Sequence, residues 1–217
     1  MRASNFDLAY MTIRSMISEK KILPGQQIVE GNIANLLGIS RTPVREALRR
    51  LQEEGLIELI PNKGSFLKIV SFADLAYGYE VICGLHVAAC KILVEQSSCG
   101  LLDTASFSNL EEYAKLIEYH YNNNNLQQWI SNDVKFHSLI FEMTKNPPLI
   151  KSFENMSFFN NQVLSFVTPA VVDRGLSTSD HFSLLESIKS GNKEETLKIA
   201  LTHIDRVTKQ IRSLIQD

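Results

Sequence analysis

Cysteine is scarce in this chain and tryptophan scarcer, with three of the first and one of the second among 217 residues. Cys83, Cys90 and Cys99 are odd in number and show no CxxC spacing, which argues against a disulfide framework and against metal or redox thiols. They fall in or beside an apolar helical stretch and are expected to be buried packing residues in a reducing cytoplasm. No run of 18 uninterrupted apolar residues occurs, and residues 1–10 hold no apolar core. Neither a membrane span nor a signal peptide is therefore expected, and the expected protein is soluble and cytoplasmic. An HExxH pattern is also missing, which removes the usual helical zinc-hydrolase signature.

What is present is most legible at residues 38–51, GISRTPVREALRRL. Ser40 stands where a helix N-cap would, and Pro43 falls in the first turn, where its lack of an N–H is harmless. From there Val44, Ala47, Leu48 and Leu51 follow the i, i+3, i+4, i+7 spacing of a buried stripe. Arg41, Arg45 and Arg49 repeat every four residues on another face. A helix whose start is crowded with Ser40, Arg41, Thr42 and Arg45 is suited to meet phosphates and base edges in a DNA major groove. The alternative, a solvated charged face on an ordinary amphipathic helix, must be weighed against the flanking sequence.

That flanking sequence has the form of a DNA-binding domain. Residues 30–38 read as a short helix with Ile33, Ala34 and Leu37 inward and Gly38 at a left-handed turn, so helix, tight turn and helix follow one another. Leu8, Ile13, Met16 and Ile17 mark an earlier helix. Two short β-prone runs, 56–60 and 65–69, flank the turn signal Pro61-Asn62-Lys63-Gly64 and predict a hairpin wing with Lys63 at its tip. In order and spacing, Pro24-Gly25-Gln26, residues 36–48, Glu54-Gly55-Leu56-Ile57 and Gly64-Ser65-Phe66 resemble the winged helix-turn-helix of GntR-family bacterial transcription regulators. The resemblance covers about residues 8–70. It implies that Ser40, Arg41, Thr42 and Arg45 touch operator DNA and that Lys63 and Gly64 reach the minor groove; Arg49 extends the same cationic face. Gly31 stands where many members carry a basic residue.

The charge distribution agrees with this division. The net charge is −2, but residues 1–70 carry a surplus of three positive charges and residues 71–217 a surplus of five negative ones. Positive charge thus gathers where DNA would lie. The expected organisation is a DNA-binding domain over 1–70 and a second domain over 71–217.

Past a capping-box pattern at Ser71-Phe72-Ala73-Asp74, helical periodicity runs from Leu75 to about Gln96, then over 104–121, 126–145, 148–168, 179–190 and 192–215. Breakers separate these stretches at 97–100, 122–125, 146–148, 169 and 190–192. The fold class is therefore mainly α: a winged helix-turn-helix with a small β-hairpin, followed by an all-α bundle of about six helices.

Within that bundle Asp133 and His137 are spaced i, i+4 and share a helix face. His181 and His203 lie ten residues before and twelve after Gly191, so two antiparallel helices would bring their rings level to within about 3 Å. One carboxylate and three neutral imidazoles suit Zn²⁺ first, then Ni²⁺ or Mn²⁺, and leave positions for a further ligand. Taken singly, each histidine is more readily read as a packed or surface residue than as a ligand, and three in compatible places reduce that preference. Residues 133–137, Asn146-Pro147-Pro148-Leu149, Asp180-His181, Gly191 and His203 together resemble the FCD-type effector domain of the FadR subfamily. In that domain the residues matching Asp133, His137, His181 and His203 bind a metal. Relatives carry an arginine and a glutamate where Ile82 and His86 stand here, so a guanidinium clamp for an effector carboxylate is missing. His86 could face the metal pocket or a dimer surface, and Arg174, expected in a loop, is the nearest alternative cation.

The reading that follows is a metal-dependent, ligand-responsive transcription regulator. It would bind palindromic double-stranded DNA as a homodimer and respond to a small organic acid. A fatty acyl thioester effector, or a metal-dependent hydrolase, are the alternatives. Against the hydrolase stands the lack of a further Glu or His at general-base spacing.

Overall fold

The computed structural model describes residues 4–158 and 173–215. The chain divides into two compact units, Met1–Ser71 and Phe72–Asp217.

In the first unit α1 (Asn5–Ser18) opens on a capping box between Ser4 and Asp7. Its inward face is Ala9, Ile13 and Ile17, all fully buried, whereas Leu8 is 41% exposed. Positions 9, 13 and 17 share one side of a helix while position 8 lies about 100° away, so the expected inward Leu8 is corrected to Ala9. The helix-turn-helix follows as α2 (Glu30–Leu37), a left-handed Gly38 at φ +66°, and α3 (Arg41–Glu53). Val44, Ala47, Leu48 and Leu51 are buried as their spacing predicts. Ser40 holds the N-cap position with extended backbone, but its hydroxyl makes no capping bond. A cap side chain normally reaches the second or third helical N–H, and the third residue here is Pro43, which has none.

The hairpin forms from β2 (Ile57–Ile60) and β3 (Gly64–Leu67), paired antiparallel from Ile57↔Leu67 to Ile60↔Gly64. Asn62 and Gly64 both take positive φ in its turn. A two-residue strand, β1 (Gln27–Ile28), adds to the other edge of β3 and gives the order β1-β3-β2. Two residues are too few to show an alternating pattern.

The second unit contains α4 (Phe72–Ser98), α5 (Thr104–Asn122), α6 (Leu126–Met143), α7 (described over 147–158), α8 (Arg174–Lys189) and α9 (Lys193–Ser213). These are six helices among the described residues. α4 has a mean hydropathy of 1.3 over its most apolar 18 residues, and half of that window is buried inside the bundle. It packs chiefly along α9, while α5 pairs with α6 and α8.

Two expectations change here. α8 begins five residues earlier than its periodicity suggests, so Arg174 is its first residue and not part of a loop. Its first turns are masked in sequence by Ser, Thr and Gly, yet Ser177 and Thr178 are buried. The Thr178 hydroxyl accepts a hydrogen bond from the Trp129 indole and donates one to the Arg174 carbonyl, so a tertiary contact overrides weak propensity. Cys83 and Cys90 are buried, but Cys99 is exposed because α4 ends just before it. The rest of the helix expected over 148–168, and the break at Pro169, lie outside the described residues.

Candidate functional site

On the first unit Ser40, Arg41, Thr42, Arg45 and Arg49 are all exposed along α3 and its start. Arg45 is held by Glu30 of α2 through two hydrogen bonds of 3.0 and 2.9 Å. The Glu30 carboxyl lies below its usual range, chiefly because of that bond; Arg41 and Arg49 add weaker attraction. The Arg41 guanidinium passes close over Gly31: a side chain begun there would stand 3.4 Å from its terminal nitrogen. At the wing, Lys63 is exposed and Gly64 half-buried. The Gln27 side-chain amide donates to the Lys63 carbonyl at 2.6 Å and braces the turn. Neither Glu30 nor Gln27 was singled out from sequence, because each acts through a residue far along the chain.

In the bundle, α6 supplies Asp133 and His137, α8 supplies His181 and α9 supplies His203. The three rings converge: His181 and His203 have centroids 4.9 Å apart, and His137 lies 5.2 Å from each. His203 Nε2 is 3.3 Å from His137 Nε2, and Asp133 Oδ1 is 3.4 Å from His181 Nε2 and 3.8 Å from His137 Nε2. Donors bound at 2.0–2.1 Å around one tetrahedral ion stand about 3.4 Å from one another, so the observed spacings match a shared cation. His181 and His203 are buried, while Asp133 and His137 keep 19% and 13% side-chain exposure and open the site along α6.

Some of the polar atoms here lack other partners. Asp133 Oδ1 and both ring nitrogens of His181 are buried with no hydrogen-bond partner, a costly arrangement unless something else satisfies them. Burial, with smaller contributions from neighbouring histidines, holds the His137 and His181 imidazoles well below their ordinary pKa and therefore neutral. Burial also pushes the Asp133 carboxyl up to about 6, with His203 pulling the other way. Neutral imidazoles, with both nitrogens of His181 unpaired, beside a carboxylate that is expensive to ionise alone, fit a divalent cation.

Two further residues support this set. Asp180 accepts a hydrogen bond from His203 Nδ1 at 3.1 Å and pairs with Arg206 at 2.9 Å. That contact places the His203 proton on Nδ1 and leaves Nε2 for a cation. Asp180 was visible in sequence only as part of a motif, and Arg206 not at all. His86 is fully buried, with Nε2 3.2 Å from His137 Nδ1, so it stands against the cluster and not on an outward surface. Arg174 is two helical turns before His181, about 10 Å along the axis, and its guanidinium pairs with none of the described residues.

A winged helix-turn-helix with a cationic recognition helix, joined to a helical bundle with a histidine-lined site, defines a ligand-responsive DNA-binding regulator. Residues 7–67 match the family of bacterial regulatory proteins called the gntR family, and residues 86–206 match the FCD domain. The chain belongs to the gntR family of regulators that carry an FCD domain, the FadR-like group. It is 34% identical over 138 residues, 64% of this chain and 80% of the relative, to an uncharacterized HTH-type transcriptional regulator of Agrobacterium vitis. It is 22% identical to the HTH-type transcriptional repressor RspR of Escherichia coli, covering 96% of this chain and 89% of RspR. The solved structure of E. coli McbR/YncC shares the fold, with a TM-score of 0.77, 20% identity, and coverage of 98% and 99% of the two chains. These relatives are transcription regulators, and the chain is a DNA-binding regulator with an effector domain, not an enzyme.

Proposed function

We propose that this regulator is controlled by a small organic acid bound at a divalent metal site formed by Asp133, His137, His181 and His203. Residues 1–70 form the DNA-binding domain, and residues 71–217 bind metal and effector and dimerise. The observation that carries the reading is the set of converging donors from three helices, buried yet open along α6, in which Asp133 Oδ1 and both His181 ring nitrogens have no hydrogen-bond partner. When bound, the cation, zinc before nickel or manganese, supplies a positive point for an effector carboxylate. Asp180 and Arg206 hold His203 in its ligating form, and the neutral imidazoles need lose no proton to bind. His86 reaches the ligand only through His137.

Ser40, Arg41, Thr42, Arg45 and Arg49 would read a half-site, with Lys63 and Gly64 at the adjacent minor groove. A two-fold operator calls for a homodimer. Tyr77 and Val81 of α4 and Leu201 of α9 offer exposed apolar surface for it, at 61%, 48% and 52% exposure. A regulator of this kind works in the cytoplasm. An effector that favours one dimer arrangement by about 1.4 kcal/mol shifts operator affinity tenfold. A fatty acyl thioester is the second reading, but the polar donor set is poorly matched to a greasy chain.

Native mass spectrometry of the purified protein tests the proposal. A dimer carrying one zinc, nickel or manganese ion per chain is expected, and its loss in His137→Ala. A dimer with no metal under any loading condition would overturn it. Calorimetry with short organic acids against acyl thioesters then separates the two effector classes.

A further inference from the structure

We propose that His86 is a positioning residue that fixes the tautomer of His137, and so sets metal affinity without touching the ion. The inference rests on the metal site proposed above.

His86 Nε2 meets the Nδ1 of His137 at 3.2 Å, the nitrogen opposite the one that faces Asp133 and His203. His137 Nε2 is the ring nitrogen turned to Asp133 and His203, and a nitrogen that ligates a cation must hold a lone pair. In a neutral imidazole one nitrogen donates and the other accepts. His137 in its ligating form therefore carries its proton on Nδ1 and donates it to His86 Nε2 at 3.2 Å. The contact links α4 to α6 behind one ligand.

His203 receives the same treatment from Asp180. Two of the three imidazoles thus have their ligating nitrogen selected by a neighbour, one by a carboxylate and one by a second imidazole. His86 is fully buried and sits 3.9 Å from the Cys90 sulfur, so the ring cannot swing to become a ligand without displacing core.

The test uses the full-length chain as wild type, His86→Gln and His86→Leu, stripped with chelator and titrated with zinc against a competing chelator. Glutamine can still accept from His137 Nδ1 and leucine cannot. His86→Leu is expected to bind zinc about 10–100-fold more weakly, with His86→Gln within about threefold of wild type. Equal affinity of all three, or an equal loss in both variants, would overturn the proposal. Should His86→Leu fail to fold, nitrogen-15 imidazole NMR of the metal-free wild type decides: His137 should carry its proton on Nδ1, and a proton on Nε2 would overturn the assignment. A wild type that takes up no zinc removes the metal reading, whereas zinc uptake unaffected by His86→Leu removes only this inference.

Discussion

Glu30 grips Arg45 with both carboxylate oxygens, one on Nε at 3.0 Å and one on a terminal nitrogen at 2.9 Å. Glu30 opens α2 and Arg45 is one turn into α3, so the pair spans the two helices of the DNA-binding motif. An exposed pair of this kind adds little stability. Its effect is to orient the guanidinium while cancelling part of the charge of the arginine row.

Arg45→Ala should therefore leave the fold intact and weaken operator binding by on the order of 1–3 kcal/mol. Electrophoretic mobility shift with unchanged circular dichroism is the measurement. Unchanged affinity would remove Arg45 from the interface.

Glu30→Gln should act in the opposite sense on nonspecific DNA. A freed cation adds a phosphate contact, so affinity for random duplex rises and the slope of log K against log salt steepens by about one. Titrations at several salt concentrations measure both. A lower nonspecific affinity would mean that Glu30 is needed to present Arg45.

Metal binding should stabilise the effector bundle. At a hundredfold excess over its Kd, zinc contributes about 2.7 kcal/mol, and Asp133→Asn should lose most of that gain. Trp129, the chain's one tryptophan, is buried between α6 and α8, so its fluorescence follows this unit during denaturation. Equal midpoints with zinc and with chelator would count against the site.

The metal-free protein should lose stability on acidification. Burial holds His137 and His181 well below their ordinary pKa and His86 down to about 3. The unfolded chain therefore takes up protons from about pH 6.5 downward that the folded chain refuses, which costs about 1.4 kcal/mol per pH unit for each imidazole. Asp133 opposes this: its raised pKa of about 6 contributes stability that is present at low pH and lost as pH rises through 6. One carboxyl does not offset three imidazoles. From pH 7.5 to 5.5 the net loss should be on the order of 3 kcal/mol, read as a lower urea midpoint of Trp129 fluorescence.

Much of the fold was legible because its signals are local. The stripe at Val44, Ala47, Leu48 and Leu51, the left-handed Gly38, and the turn at Asn62 and Gly64 each depend on neighbours within a few residues, and each formed as read. Where the reading slipped, a distant partner had intervened. Trp129 draws the Ser/Thr-rich start of α8 into a helix, and β3 recruits two residues at Gln27–Ile28 that carry no strand pattern.

By itself the sequence determined the type of each helix, the place of the turn glycines, the cationic face of α3, and the helical phase that puts Asp133 with His137. The tertiary structure alone decided that Glu30 closes on Arg45, that Asp180 turns toward His203 and that His86 backs His137. Helical periodicity constrains only residues a turn or two apart. Which buried nitrogen meets which partner depends on how α4, α6, α8 and α9 pack, and no spacing along one helix encodes that.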